Sequence, residues 1–176
     1  MNRSIPLTTG ALLLFACGPG PGAESAADAD STTAQPMEAP APPRVARVTP
    51  EQFAALHWLE GTWRGSGVDQ PTFYERYTFV DDSTIRAESS PDSRFPDPDE
   101  ADTIELRAGR VTTGGAEMEW AVSSIDDASV RFDPLRGANN AFVWTSESDS
   151  AWTARLTWTD RDGEAHERIY EMRRMP

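Results

Sequence analysis

The sequence predicts an all-β fold, an antiparallel up-and-down barrel with a short N-terminal helix. Three observations carry this. From Gly61 onward the apolar residues recur with period two. Turn-forming clusters separate the alternating segments at hairpin spacing. No segment beyond residue 60 shows helical spacing, so no crossover helix is available to join parallel strands. Closure into a barrel suits one-sided burial because it leaves no exposed edge. A two-sheet sandwich is the structural alternative.

The elements follow in chain order. Residues 1–16 read as a secretory signal, with Arg3 ahead of the apolar run Leu12-Leu13-Leu14-Phe15 and the small residue Ala16 at its end. The run is too short for a transmembrane helix, which needs about 20 apolar residues. Leu14, Ala16 and Cys17 stand at minus three, minus one and plus one, which resembles the lipobox of bacterial lipoproteins. That resemblance implies a lipidated Cys17 as the first mature residue and a membrane partner reached through the lipid. Gly18 after the cysteine implies, by likeness to Gram-negative lipoproteins, an outer-membrane address on the periplasmic face.

Residues 17–48 read as the lipidated cysteine and a disordered linker, opened by Gly18-Pro19-Gly20-Pro21-Gly22 and free of aromatic residues. A coil of this length spans roughly 30 Å, more where prolines extend it. The folded domain is expected over 49–176. Thr49-Pro50-Glu51-Gln52 forms a capping box, and Phe53, Leu56 and Leu59 continue at helical spacing up to Gly61.

About nine strands follow. Phe73, Glu75, Tyr77 and Phe79 share one face, then Ile85 and Ala87, then Ile104 and Leu106, then Met118, Trp120 and Val122. Val130 and Phe132, Phe142 and Trp144, and the stripe Trp152, Ala154, Leu156, Trp158 come next. His166, Arg168, Tyr170 and Met172 share a face of the last strand. Asp81-Asp82-Ser83, Thr113-Gly114-Gly115, Ile125-Asp126-Asp127, Ser148-Asp149-Ser150 and Asp160 to Gly163 supply turns.

Composition narrows the function. The 176 residues carry a net charge of −13, and all 16 basic residues are Arg. This balance argues against nucleic acid as a partner. The absence of Lys excludes Schiff-base and P-loop lysine chemistry. Once Cys17 carries lipid, no thiol remains for a disulfide, a thiolate metal site or a nucleophile. No nucleophile elbow or metal-spaced histidine pair is present, so no enzyme is expected.

Leu56-His57-Trp58-Leu59-Glu60-Gly61-Thr62-Trp63 resembles the opening of calycin-type β-barrels. In lipocalins and their relatives a Gly-x-Trp on the first strand follows a plug helix, and an Arg of the last strand packs on the Trp. The resemblance assigns Gly61 and Trp63 to that signature, with Arg168 or Arg174 as the packing arginine and Arg168 preferred. With Glu75 before Tyr77 and with Phe132-Asp133-Pro134, the pattern is similar to a family of secreted bacterial lipocalin-like domains of unknown function. The run Trp58-Leu59-Glu60-Gly61-Thr62-Trp63-Arg64-Gly65 is also similar, more distantly, to the nitrobindins, which implies haem as a cofactor with His166 as its ligand.

The candidate ligand-binding residues are Glu75, Phe73, Tyr77, Trp120, Trp144, Trp158 and Tyr170. Glu75 lies on the apolar face and needs a partner, either a ligand's polar group or an arginine such as Arg86 or Arg168, the latter preferred. The acidic stretch Asp92 to Asp102 suggests a solvated loop at the barrel mouth, with Ca²⁺ as the alternative and Phe95 as a lid. The leading expectation is non-catalytic binding of a small apolar molecule by an envelope lipoprotein. Haem or nitric-oxide binding through His166, and a solid-cored structural or protein-interaction module, are the alternatives.

Overall fold

The computed structural model describes residues 44–96 and 101–176. The signal, Cys17 and most of the linker lie outside the described residues. The helix α1 (Pro50–Ala54) starts at the predicted box: the Gln52 amide donates to Thr49 Oγ1 at 3.3 Å and the Thr49 amide to Gln52 Oε1 at 2.9 Å. The chain then tightens into a 3₁₀ turn over Ala55–Leu59. No described helix is long and apolar enough to cross a membrane.

Ten strands follow: β1 (Gly61–Gly67), β2 (Phe73–Asp81), β3 (Thr84–Ser90), β4 (Ala101–Arg107), β5 (Arg110–Gly114), β6 (Glu119–Ile125), β7 (Ser129–Arg136), β8 (Asn140–Ser148), β9 (Ala151–Thr159) and β10 (Ala165–Arg174). Each pairs antiparallel with the next, and β10 returns to β1 to close the barrel, with Trp63 opposite Arg174 and Gly65 opposite Met172. The predicted up-and-down barrel with a short helix is the observed fold.

The tenth strand is β5, which the period-two pattern does not reveal. Its only large apolar residue is Val111, and it is joined to β4 by a two-residue turn through Ala108 and Gly109, both at positive φ. The folded part also starts before Thr49. The Ala46 amide donates to the Val122 carbonyl at 2.8 Å, the Val48 amide to that of Gly109 at 2.9 Å, and Val48 is buried. Met118, expected on the inner face, lies just ahead of β6 and is exposed.

The plug closes the end where β1 begins and β10 finishes. Phe53, Leu56 and Leu59 have no exposed surface, Trp58 meets Trp152 edge-on, and His57 stacks on Phe79 at 3.8 Å. Trp63 is fixed there from three sides. Its Nε1 donates to the Leu59 carbonyl at 2.7 Å, Trp152 meets it edge-on, and the Arg174 guanidinium lies 4.2 Å from its ring centroid. Arg174, rather than the preferred Arg168, is therefore the arginine of the signature. Its register opposite Trp63 puts it at this end, six positions along β10 from Arg168. Its fork also donates to the carbonyls of Glu60 at 2.6 Å, Asp149 at 2.7 Å and Trp58 at 3.2 Å. Gly61, at φ +120°, has the Arg174 guanidinium where a Cβ would stand. Only glycine combines that backbone with that contact.

Candidate functional site

The interior is filled unevenly. On the β3–β7 side Ile85, Ile104, Val111, Val122, Val130 and Phe132 have no exposed surface. On the opposite side a cavity of about 130 Å³ remains, reached from the mouth away from the plug. Phe73 and Glu75 of β2, Phe142 and Trp144 of β8, Trp152, Ala154 and Leu156 of β9, and Tyr170 and Met172 of β10 line it. Gln70, Pro71, Thr72 and Pro91 form its edge.

Two local features keep this space open. Ala154 sits in register between Trp144 on β8 and Tyr170 on β10, so a methyl group stands where its neighbours carry rings. Gly65 of β1 lets the Phe73 ring lie directly on the strand, in the place a Cβ would occupy. The surrounding rings meet at corners. Phe73 and Tyr170 are 5.4 Å apart at 89°, and Trp144 and Trp152 are 5.5 Å apart at 57°.

One carboxyl faces this apolar space. Glu75 lies between Phe73 and Tyr77 on the inner face of β2, and its Oε2 accepts a hydrogen bond from the Tyr77 hydroxyl at 2.6 Å. Burial raises its pKa to about 7, against the lowering effect of the Tyr77 bond. The same burial, with the negative neighbour, pushes the Tyr77 hydroxyl well above its ordinary value. No described residue donates to Glu75 Oε1.

The expected arginine partner of Glu75 is thus replaced by a tyrosine. Arg76 and Arg86 point through the other face of the sheet, where Glu88 accepts from Arg76 at 2.7 and 2.9 Å and from Arg86 at 3.5 Å. Alternation on a strand forces this: Arg76 is the sequence neighbour of Glu75, and Arg86 is in register with Thr78. Arg168 donates to the Tyr170 hydroxyl at 3.4 Å and lies 5.6 Å over the Trp158 ring.

Four of the seven predicted binding residues therefore line the cavity: Phe73, Glu75, Trp144 and Tyr170. Tyr77 lies behind the lining and fixes Glu75. Trp120 is buried elsewhere, its Nε1 donating to the Asn140 carbonyl at 2.9 Å. Trp158 shares the inward parity of Trp152 but has reached the rim, where it stacks on His166 at 5.3 Å. Phe142, Trp152, Ala154, Leu156 and Met172 complete the wall and are not among the expected ligand contacts. The signal for them is present in the β8, β9 and β10 stripes, most of all in the one small residue among large ones.

Phe95 is not a lid. It packs under Arg76, 4.5 Å from the guanidinium, on the face of β2 opposite Glu75. In the acidic stretch Asp92 is bound by Arg94, and residues 97–100 lie outside the described residues.

His166 stands at the rim beside a wide, open depression of about 420 Å³ shared with Trp158, Thr157, Ala141 and Pro134. Its Nε2 is 2.7 Å from Asp160 Oδ2, and Asp160, Glu164 and His166 bring three ligand atoms within 4.8 Å. The hairpin accounts for the cluster: Asp160 Oδ1 accepts the amides of Asp162 and Glu164, each at 2.9 Å. The His166 bond and these amides hold the Asp160 carboxyl below its ordinary value. A histidine so engaged and flat against Trp158, outside the cavity lining, does not fit a haem held inside the barrel.

No protein-family model and no curated protein matches the chain. Among solved structures it is similar to a protein of unknown function from the DUF3598 family of Nostoc punctiforme, at 14% identity and a TM-score of 0.46. The match covers 79% of this chain and 53% of that one, so the chain spans about half the length of that protein.

Proposed function

We propose that this protein is a lipid-tethered envelope protein whose barrel binds a small, largely apolar molecule without catalysis. The supporting observation is the cavity: an apolar, mostly aromatic space of about 130 Å³ with one carboxyl in its wall. Its size sets the ligand class. Pockets for drug-sized ligands run to about 300–1,000 Å³, while a dry cavity of about 150 Å³ takes benzene. The enclosed part therefore takes a group of roughly benzene size, and anything longer extends past Gln70 and Pro91 into the mouth. The N-terminal lipid and linker, read from the sequence, would hold this binding site in the periplasm near its membrane.

Trp144 and Trp152 make the site self-reporting. Titrating the full chain with benzyl alcohol is expected to change tryptophan emission to saturation. Ala154→Phe fills the cavity from β9 and is expected to weaken that response at least roughly tenfold, with the far-UV spectrum of the barrel retained. An unchanged titration in a folded Ala154→Phe protein would remove the cavity as the site. Native mass spectrometry of the full chain checks the same reading by the mass of any retained ligand.

A further inference from the structure

We propose that the group taken into the cavity is a methylated ammonium, with Glu75 as its counter-charge and the surrounding rings as its cage. The inference rests on the ligand-binding reading above and names the chemistry of the ligand. Glu75 lines the cavity; its Oε2 is held by Tyr77, while its Oε1 has no donor among the described residues. The group that complements a carboxylate in an apolar wall is a cation.

The other walls are Phe73, Trp144, Trp152 and Tyr170, set at angles to one another so that they surround the space. Aromatic rings around a cation are the recurring means of recognising alkylated ammonium groups. Hydrogen-bond arithmetic selects methylated over primary amines. A primary ammonium brings three N–H donors. Among the described residues of the inner wall, Glu75 has a free carboxylate oxygen, the Tyr170 hydroxyl keeps one lone pair beside its bond from Arg168, and the Trp152 Nε1 is itself a donor, so three N–H donors find too few acceptors. A quaternary ammonium demands no acceptor and presents methyl groups to apolar walls. The net charge of −13 further favours cations over anions at the mouth.

Binding should then depend on pH through Glu75. The groups facing it are Tyr77 on its own strand, Trp63 of β1 and Ser89 of β3 in register, Trp144 and Trp152 across the cavity, and Tyr170 of β10 with Arg168 behind it. Burial beside Glu75 pushes the Tyr77 hydroxyl well above its ordinary value, away from this pH range. Asp160 and His166 are at the rim, on the second depression. With Glu75 titrating near 7, a ligand that needs the carboxylate loses roughly tenfold in affinity from pH 8 to pH 6.

The test compares choline with its neutral isostere 3,3-dimethyl-1-butanol, by calorimetry and tryptophan emission on the full chain. At pH 8 choline is expected to bind roughly tenfold or more tighter. That preference should shrink at pH 6 and disappear in Glu75→Gln. Equal or tighter binding of the alcohol to the unmodified chain at pH 8 overturns the ammonium assignment and leaves the apolar-ligand reading standing. Failure of choline, the alcohol and benzyl alcohol to bind at up to about 10 mM, a generous bound for a site of this size, overturns both. Because the isostere comparison uses the unmodified chain, it decides the matter even if Glu75→Gln folds poorly.

Discussion

Trp63→Ala is expected to destabilise the barrel by about 3–5 kcal/mol, read as a lower denaturant midpoint at unchanged slope. The side chain is 1% exposed, and its loss opens a void between the plug and β1. It also leaves the Leu59 carbonyl without its donor and the Arg174 guanidinium without the ring beneath it. In a double-mutant cycle, Arg174→Ala should show a coupling with Trp63→Ala of about 1–2 kcal/mol. Arg174→Lys should recover little, because a single ammonium cannot replace a fork that serves carbonyls of Trp58, Glu60 and Asp149. A loss below about 1 kcal/mol in Trp63→Ala would show that the plug is held by its apolar residues alone.

The second large effect is on the pH dependence of stability. The folded-state pKa of Glu75 is about 7 and its ordinary value is 4.5. Between those values the folded chain keeps a proton that the unfolded chain has released. Stability from this group is therefore full below about pH 4.5, falls as pH rises toward 7, and is flat above. The whole fall is at most about 3 kcal/mol at 1.36 kcal/mol per pKa unit, less where water enters the cavity. Glu75→Gln keeps an acceptor for the Tyr77 hydroxyl and removes the charge. It is expected to match the parent protein near pH 4.5 and to exceed it by about 2–3 kcal/mol at pH 8. Glu88, Asp92 and Asp160, whose pKa values lie below normal, weaken both proteins equally on acidification. The difference between the two curves isolates position 75. A flat difference would place Glu75 in contact with bulk water.

Most of the fold was legible because burial in a barrel is one-sided, which writes period two into every strand long enough to show it. β5 escaped because five residues with one valine carry too little pattern, and because its turn uses Ala108 at positive φ where Asn would have announced it. The candidate site was legible as a face but not as a depth. Parity placed Trp152 and Trp158 together on β9, yet six residues along a strand separate the plugged end from the rim. Glu75 was found by its position among rings. Its partner was not, since the sequence pattern makes Tyr77 part of the lining and a hydroxyl two residues along the strand is a less obvious match for a carboxylate than an arginine. The choice of Arg174 over Arg168 depended on register, which fixes how far along β10 the first strand begins.

The seam between β1 and β10 sets the order of assembly. Glu60 and Arg174, joined by a hydrogen bond of 2.6 Å, are 114 residues apart in the chain. Until β10 is available, a growing chain presents the free edges of β1 and β9, and the plug lacks the arginine that fastens it. Contacts of such separation are slow to form, and open edges invite pairing with other chains while they wait. The barrel therefore closes only once β10 has been made. A truncation that removes β10 is expected to yield an aggregating chain rather than a smaller barrel.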